Sequence, residues 1–561
     1  MNIHDNIYEI PYTTGRYMFP KADDISILNC VKDNDTVAIS GFNMATTPEF
    51  LINGLYKRYQ RDGHPKNIFI ISDALPAVPG KAMDYVAENL YKEPNQDFLR
   101  GSLMPFLGFS PWLQRLVIDN RIECYGWPIG ITAYWFREIA SGRPGLLTKI
   151  GLNTFLDPRN DDAALNELGK SNLTCNIEVL SIDNDEYLLY KAPKPNCSLI
   201  RTSIADEMGN LSTQEEGIRG TVLSIAQATK ARPNQGKVIS QVRWITKSGT
   251  INPRHVDVPF PLVDHIVISP IEYHWQTGSI PYDPRLSNQI VSPVYNNLDA
   301  SIPLEQKKVY ERVIARRVAL EFINLFTKKQ APVLVNLGIG IPALISSVAA
   351  EENVMNAIIT VIESGPWGGV ALSGNDFGLA MGAFALSTMP DMFSNFESGI
   401  IDAASLGFLQ IDRFGNVNPS MLPNRLFGTG GFPVIAGGVS KIYFAGSFMG
   451  GKNIIDVKEN GIKILQDGPI TKFVQDVYKI SFSSYQASKY GQEIMYVTER
   501  AVFKLSGTEL VLVETAPGVD IDKDILEKME FKPQMAKEIK EMDKRLFSKS
   551  AMKIKTDLEI F

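Results

Sequence analysis

The sequence has 561 residues, 44% of them hydrophobic, and a formal net charge of −6, which together predict an ordinary globular protein of two or more domains. The acidic balance disfavours a broad nucleic-acid-binding surface, and no apolar run reaches the length of a membrane span. Four scattered cysteines without a CxxC pair disfavour a metal centre or a disulfide framework, and they indicate the cytoplasm.

The first half of the chain alternates between predicted strands and helices. The segment at 35–40 (DTVAIS) is short and contains β-branched residues, which predicts a buried strand that ends in a glycine turn at 41–43. Pro48 and Glu49 are typical of a helix start, and 66–72 (KNIFIIS) predicts the next buried strand. Strand, helix and strand in this order predict a parallel sheet with helices packed on it.

Aperiodic sequence in the middle of the chain predicts a domain boundary. We interpret 291–305 as a linker between a first domain at 1–290 and a second domain at 306–520. Residues 521–561 are predicted to form a helical tail.

The second domain is predicted to begin with an amphipathic helix. Tyr310, Ile314 and Val318 belong to an apolar stripe with a spacing of four residues. The opposite, basic face contains Arg312 and Arg316, and we interpret it as solvated.

The second half then repeats the scheme of the first half. Residues 331–337 predict a strand, 338–341 a glycine turn, and Pro342 a helix start. A further echo links ADEMGNL at 205–211 with IDRFGNV at 411–417, where an aspartate precedes a turn glycine and is expected to stabilise the turn. Two echoes in the same order favour two domains of related fold, although chance resemblance of common units is an alternative.

One acidic residue follows directly on an apolar strand. The predicted strand at 357–362 runs into Glu363 and then into a Gly/Pro turn. Parallel sheets hold ligands at the carboxyl ends of their strands, so this carboxylate could act as a nucleophile or as a general base. It could equally cap a helix or pair with an arginine.

Two further glycine loops accompany this acid. GIGIP at 338–342 lies at a predicted helix start, where backbone N–H groups can hold an anion, although it is neither a GxGxxG motif nor a P-loop. NRLFGTGGF at 424–432 is a flexible loop. Together with Glu363, these loops predict the rim of an active site.

Motifs along nearly the whole chain resemble those of the family I CoA-transferases, and most closely the single-chain acetate and propionate CoA-transferases. In the first half these motifs are SGFNMATTPE at 40–49, ADEMGNLSTQEE at 205–216, GKVISQV at 236–242 and HWQTG at 274–278. In the second half they are NLGIG at 336–340, ESGPWGG at 363–369, LGFLQIDRFGNVN at 406–418 and GTGGF at 428–432.

The resemblance implies an α/β fold of two related open domains with mostly parallel sheets and an active site in the cleft between them. It implies a ping-pong transfer of CoA from an acyl-CoA to a short-chain carboxylic acid of the acetate or propionate type, through a covalent thioester on Glu363. CoA would be a substrate rather than a tightly bound cofactor, no metal is expected, and the resemblance implies a homo-oligomer, with a tetramer expected. The alternatives are an acyl-CoA hydrolase that uses the same glutamate and a non-catalytic acyl-CoA-binding protein.

The resemblance also implies further site residues. Backbone groups that stabilise an oxyanion are expected at Gly41, Asn43, Gly428 and Gly430. Contacts with CoA are expected at Gly338, Ile339, Gly340, Ile341, Pro342, Gly415, Asn416 and Asn424. The chain departs from the family pattern at 103–108 (LMPFLG) and 395–399 (NFESG), and we expect both departures to alter the acyl pocket and to favour an aliphatic acid over a dicarboxylate.

Overall fold

The computed structural model describes residues 17–18, 26–93, 95–233, 235–290 and 309–557. The predicted linker at 291–305 lies outside the described residues, so the proposed domain limits stay predictions. The described chain is built around two eight-stranded sheets, one in each half.

All pairings within the first sheet are parallel. Its strands in chain order are β1 Tyr17–Met18, β2 Thr36–Ile39, β3 Ile68–Ser72, β4 Leu99–Leu103, β5 Glu123–Tyr125, β6 Cys197–Arg201, β7 Lys237–Val242 and β8 His265–Ile268. The spatial order is β1-β8-β7-β6-β2-β3-β4-β5. Every residue of β2 and β3 is buried, as expected for the continuous apolar runs of parallel strands covered on both faces.

The second sheet is mostly parallel. Its strands are β9 Val333–Leu337, β10 Ile358–Thr360, β11 Ala403–Leu406, β12 Lys441–Ala445, β13 Glu493–Val497, β14 Ala501–Ser506, β15 Glu509–Thr515 and β16 Gln534–Glu541. The spatial order is β10-β9-β11-β12-β13-β14-β15-β16, and only the β13–β14 and β14–β15 pairings are antiparallel.

Helices connect these strands in both halves. They are α1 Glu49–Asp62, α2 Met83–Lys92, α3 Pro111–Ile118, α4 Ile129–Ala140, α5 Glu167–Asn172, α6 Val222–Lys230, α7 Val309–Lys329, α8 Leu344–Glu351, α9 Met389–Glu397, α10 Phe432–Gly438, α11 Ser484–Lys489 and α12 Ile554–Asp557. The predicted strands at 35–40 and 331–337 and the predicted helix starts at Pro48 and Pro342 are confirmed, with bounds shifted by one or two residues.

Further short strands lie outside the two large sheets, in the segments that connect their strands and helices. They are Ala77–Val78, Lys81–Ala82, Leu146–Thr148, Asn176–Ile182, Asp185–Lys191, Ile204–Asp206, Leu211–Ser212, Trp244–Thr246, Pro366–Trp367, Val370–Ala371, Ala380–Met381, Ala385–Leu386, Gln410–Asp412, Val417–Asn418, Met421–Leu422, Arg425–Leu426, Met449–Gly450, Ile454–Lys458, Gly461–Gln466, Ile470–Thr471 and Phe473–Val474.

The two halves share their strand order. The sequence β3-β2-β6-β7-β8 in the first sheet corresponds to β10-β9-β11-β12-β13 in the second sheet. The second echo is also structural, because Asp206 and Asp412 each accept hydrogen bonds from the backbone N–H and the side-chain amide of the asparagine four residues later. The prediction of two related open α/β domains is confirmed, and so is the turn-stabilising role of both aspartates.

Two expectations from the sequence are wrong. The tail is not purely helical, because β16 pairs with the otherwise open edge of β15; its lysines and glutamates are typical of a protected edge strand. The basic face of α7 is not wholly solvated, because Arg316 is fully buried. Its guanidinium donates to the carbonyls of Leu546, Ser548 and Ser550 and so ties the tail to α7.

Candidate active site

Glu363 follows the edge strand of the second sheet. β10 ends at Thr360, and the chain then turns back, with the N–H of Ile362 donating to the carbonyl of Pro366 at 3.0 Å. Gly365 has a φ of +135°, and a Cβ at this position would lie 2.3 Å from the carbonyl oxygen of Ser387, so the turn requires glycine. The acid therefore stands at the carboxyl end of a parallel strand, as the sequence predicted.

The side chain of Glu363 is buried but has no cationic partner. Its exposed fraction is 7%, and no lysine or arginine of the described chain forms an ion pair with it. Asn336 Nδ2 lies 3.4 Å from Glu363 Oε2 and donates at 3.0 Å to the carbonyl of Val361. Burial raises the pKa of the Glu363 carboxyl, and hydrogen bonds from its own backbone and from Asn336 oppose this rise only in part. Within the described part of the chain, Glu363 is therefore not the structural partner of an arginine.

Glu363 lines a cavity of about 380 Å³ between the two halves of the molecule. The first half contributes Phe42, Asn43, Ala74, Leu75, Phe106, Gly108, Phe109 and Ile129. The second half contributes Asn336, Gly338, Ile339, Glu363, Phe377, Leu406, Gly407, Phe408, Leu409, Pro419, Phe427, Gly428, Thr429, Gly430, Gly431, Phe432 and Ile435. These residues are mostly apolar and include no lysine or arginine, so Glu363 is the only charged group among them.

The cavity brings together about half of the residues predicted for the site. Besides Glu363 they are Asn43, Gly338, Ile339, Gly428 and Gly430. Ile339 is 46% exposed, so it lies where the cavity opens to solvent. The other predicted residues do not line this cavity: Gly41, Gly340, Ile341, Pro342, Gly415, Asn416 and Asn424.

Two of these other residues have evident structural roles. The side chain of Asn416 donates to Asp412 and accepts from the N–H of Ser484, which closes a turn. The carbonyl of Gly415 accepts a hydrogen bond from the hydroxyl of Tyr496 at 2.5 Å. Turns and ligand-binding loops both favour glycine and asparagine, so the contact of these two residues with CoA stays a prediction.

Most of the backbone N–H groups predicted to face an oxyanion have acceptors within the protein. Gly41 donates to Asp73, Gly428 to the carbonyl of Ser420, and Gly430 to the carbonyl of Pro105. The N–H of Asn43 differs, because no acceptor for it occurs among the described residues. The loop at 428–430 therefore frames the site, whereas Asn43 retains a donor for a ligand.

Gly431 belongs to the glycine loop that the sequence predicted for the site, but it was not among the residues named individually for the oxyanion. This glycine lines the cavity, and a Cβ at its position would lie 3.3 Å from Cγ of Glu363. Its N–H also has no acceptor in the described part of the chain. The GTGGF motif contained the signal, since a third glycine beside Gly428 and Gly430 permits a close approach of backbone to ligand.

Only one of the two departures from the family pattern reaches the cavity. Phe106 lines it, and the N–H of Leu107 donates to the carbonyl of Phe427 at 2.7 Å. The segment at 395–399 lies at the end of α9, and none of its residues lines the cavity. The expectation that this second segment shapes the acyl pocket is therefore not supported.

Comparison with known proteins identifies the family. A coenzyme A transferase family model matches residues 25–269. The caffeate CoA-transferase of Acetobacterium woodii is 34% identical over 92% of this chain and 95% of that protein. The acetate CoA-transferase YdiF of Escherichia coli K12 is 34% identical over 97% of both chains. This chain belongs to the coenzyme A transferase family.

Solved structures agree with this assignment. The apoenzyme of YdiF from Escherichia coli O157:H7 matches this CoA-transferase with a TM-score of 0.84 and 31% identity, over 97% of this chain and 98% of the other. YdiF in a thioester complex with CoA matches with a TM-score of 0.83 and 30% identity, over 96% and 97%. Among the described residues of this CoA-transferase, no helix combines the length and apolarity needed to cross a bilayer.

Proposed function

We propose that this CoA-transferase moves CoA from an acyl-CoA to a short-chain monocarboxylic acid through a covalent glutamyl-CoA thioester on Glu363. The carboxylate attacks the thioester carbonyl, which gives an acyl-glutamyl anhydride and releases CoA thiolate. The thiolate then attacks the glutamyl carbonyl and expels the first acid. The acceptor acid reverses both steps, so the energy of the thioester is conserved and no ATP is needed.

The observation that carries the proposal is the position of Glu363. Among the described residues it is the only charged group on the wall of a largely apolar cavity, and none of their cations neutralises it. Weak solvation keeps the carboxylate reactive towards an acyl carbon, while Asn336 holds it in place. The thioester complex of YdiF, a relative that matches this chain over nearly its whole length, supports the same chemistry.

Oxyanions that form at each carbonyl require hydrogen-bond donors close to Glu363. The N–H groups of Asn43 and Gly431 are our candidates. Both residues line the cavity, neither N–H has an acceptor in the described chain, and Gly431 lies close to Cγ of Glu363. A donor of this kind typically contributes on the order of 100- to 1,000-fold in kcat. The N–H groups of Gly428 and Gly430 and the carbonyl of Gly430, which all have partners in the protein, would then fix the geometry of the loop that presents Gly431.

The walls of the cavity favour a monocarboxylic acid. Besides the carboxylate of Glu363, its polar side chains are limited to those of Asn43, Asn336 and Thr429. The second carboxylate of a dicarboxylic acid would be buried without a counter-charge, which is strongly unfavourable. An acid with a short apolar chain meets Phe106 and its apolar neighbours instead, so acetate- and propionate-like acids fit best. CoA itself is a substrate in this proposal.

The same walls weigh against an acyl-CoA hydrolase, because apolar side chains limit the access of water to the thioester. The two activities differ in one measurement, which is the loss of acyl-CoA with and without an acceptor acid. We expect strong dependence on the acceptor; equal rates in both conditions would favour the hydrolase. A chain that binds acyl-CoA and never turns it over would be a binding protein.

The covalent step has a direct test. Incubation with acyl-CoA alone should add CoA, less one water, to the peptide that contains Glu363, as measured by mass spectrometry. Glu363→Gln keeps the shape of the side chain and should abolish both the adduct and turnover. Normal turnover by Glu363→Gln would refute the proposal.

The proposal extends to the state of the enzyme in the cell. All four cysteines are unpaired thiols, which agrees with a reducing cytoplasm. Light scattering on the purified protein would measure whether it forms the homo-oligomer that the sequence resemblance implies.

A further inference from the structure

The loop that carries Asn43 has an unusual backbone. Asn43 and Thr46 both adopt left-handed φ values, 55° and 54°. For a β-branched residue such as Thr46 this conformation is strained, and it persists only where the surroundings impose it. The loop at 41–47 must therefore be held by contacts outside itself.

Arg201 supplies these contacts. It ends β6, next to β2, and its side chain is fully buried. Its Nη1 donates to the carbonyls of Met44 at 3.1 Å and Thr47 at 3.3 Å. Its backbone N–H donates to Oγ of Ser40, which in turn donates to the carbonyl of Thr46 at 2.7 Å. One residue thus binds three carbonyls of the loop, directly or through Ser40.

A buried carboxylate orients this guanidinium. Glu216 accepts from Nε and Nη2 of Arg201 at 3.0 and 2.8 Å, a bidentate pair in which both side chains are at most 1% exposed. Because the pair uses Nε and Nη2, Nη1 remains available to donate to the carbonyls of the loop. Burial alone would raise the pKa of Glu216, but the charge of Arg201 and the hydrogen bond from His274 outweigh it and lower the pKa to about 2.

His274 completes the arrangement as a neutral ring. The N–H of Phe50 donates to Oε1 of Gln241, which turns the amide nitrogen of Gln241 towards Nδ1 of His274 at 3.4 Å. An amide nitrogen only donates, so Nδ1 is the acceptor and Nε2 carries the proton that it donates to Glu216 at 3.1 Å. Burial lowers the pKa of His274 to about 4, which agrees with this tautomer.

We propose that Arg201, Glu216 and His274 form a positioning network that holds the N–H of Asn43 at the reacting carbonyl. The inference rests on the proposed function, since it concerns the oxyanion of that reaction. None of the three side chains lines the cavity, so the network acts through the loop and not on the substrate. Because the donor matters only when charge develops on the carbonyl oxygen, the network affects kcat and leaves the binding of acyl-CoA nearly unchanged.

The test is a double variant that removes the charges of Arg201 and Glu216 together. Replacing a buried ion pair by apolar residues of similar size is often neutral for stability, so Arg201→Met combined with Glu216→Met should fold. We expect kcat, and the single-turnover rate of adduct formation on Glu363, to fall on the order of 100-fold, as misplacement of a reacting group by about 1 Å does. The KM for acyl-CoA and the Kd for CoA should stay within about threefold of the wild type.

A matched control exists in the other half of the molecule. Buried Arg317 and partly buried Glu514 form a second bidentate pair, with distances of 2.8 and 2.7 Å, and neither residue lines the cavity. Arg317→Met combined with Glu514→Met should keep the kcat of the wild type.

If the Arg201 and Glu216 double variant does not fold, Glu216→Gln is measured instead, because one accepting oxygen becomes an amide that cannot bind the guanidinium. For this single variant we expect a loss of about tenfold in kcat at an unchanged KM.

The possible results distinguish the positioning role of the network from the proposed transfer of CoA. Wild-type kcat in a folded Arg201 and Glu216 double variant, or a raised KM at unchanged kcat, overturns the positioning role and leaves the proposed function intact. An equal loss of kcat in the control pair also overturns it, because the effect would then be general. Absence of CoA transfer by the wild-type chain would refute the proposed function and this inference together.

Discussion

The hydroxyl of Thr429 lies 2.8 Å from the carbonyl oxygen of Trp127, and this contact joins the two halves of the molecule beside the active site. Oγ1 also lies 3.0 Å from the carbonyl of Pro105, so a single buried hydroxyl serves backbone acceptors that belong to the other half. The glycine loop that reaches Glu363 is thereby fixed against the first half.

Thr429→Val should weaken this connection while keeping the shape of the side chain. The carbonyl of Pro105 keeps the N–H of Gly430 as a donor, but the buried carbonyl of Trp127 loses the hydroxyl, and a lost partner of this kind typically lowers the free energy of unfolding by about 1–3 kcal/mol. Urea denaturation would measure this change, and kcat should fall because Gly431 is presented less accurately. Thr429→Ser retains the hydroxyl and should restore most of both quantities; equal losses in the two variants would contradict the role of the hydrogen bond.

Asp73 should make stability depend on pH. Burial raises the pKa of this carboxyl to about 7, although Oδ1 accepts from the N–H of Gly41 at 2.9 Å. Between about pH 4 and pH 7 the folded state keeps a proton that the unfolded chain has lost. The free energy of unfolding therefore falls as pH rises through this window, by roughly 4 kcal/mol for a difference of about three pH units.

Asp73→Asn removes this titration. The amide oxygen can still accept from Gly41, so the variant should fold and show a smaller decrease in stability between pH 4 and pH 7. Denaturant unfolding at several pH values measures the slope. An unchanged slope in the variant would show that Asp73 does not carry the pH dependence.

The sequence predicted the site best where one residue combines chemistry with a strand end. Glu363 met both conditions, because a carboxylate after an apolar strand is visible in sequence and its location follows from sheet topology. The turn-stabilising role of Asp206 and Asp412 was also predicted from the sequence, because their hydrogen bonds depend only on residues up to four positions away.

Sequence reasoning was weaker where function depends on long-range packing. The burial of Arg316 depends on carbonyls more than 200 residues away, and Arg201 reaches a loop more than 150 residues before it. The acceptor for the N–H of Gly430 is the carbonyl of Pro105 in the other half of the chain, so its pairing has no local signature. The glycine motif therefore indicated the correct loop, but not which of its N–H groups lack an acceptor among the described residues.

Asn336→Ala should shift the pH dependence of catalysis. Asn336 donates to Oε2 of Glu363 and so favours the ionised carboxylate. Without it, the already raised pKa of Glu363 should rise further, and the acidic limb of the kcat/KM profile should move to higher pH. Asn89→Ala, which removes a side-chain hydrogen bond within α2, serves as a control. A shift to lower pH, or none, would show that Asn336 does not stabilise the charge.

Phe106→Ala should broaden the choice of acid. The ring of Phe106 lines the cavity and packs edge-on against Phe109, with ring centroids 5.4 Å apart. Its removal opens space beside the loop at 428–430, so bulkier acids should gain in kcat/KM relative to acetate. Room for one to three additional methylene groups corresponds to a gain of about tenfold or more in kcat/KM relative to acetate. Competition between acetate and longer or aromatic acids would measure the ratio of their kcat/KM values.

Phe414→Ala, at an exposed position outside the cavity, serves as the control and should leave this ratio unchanged. A similar change in both variants would assign acid selection to another part of the cavity wall.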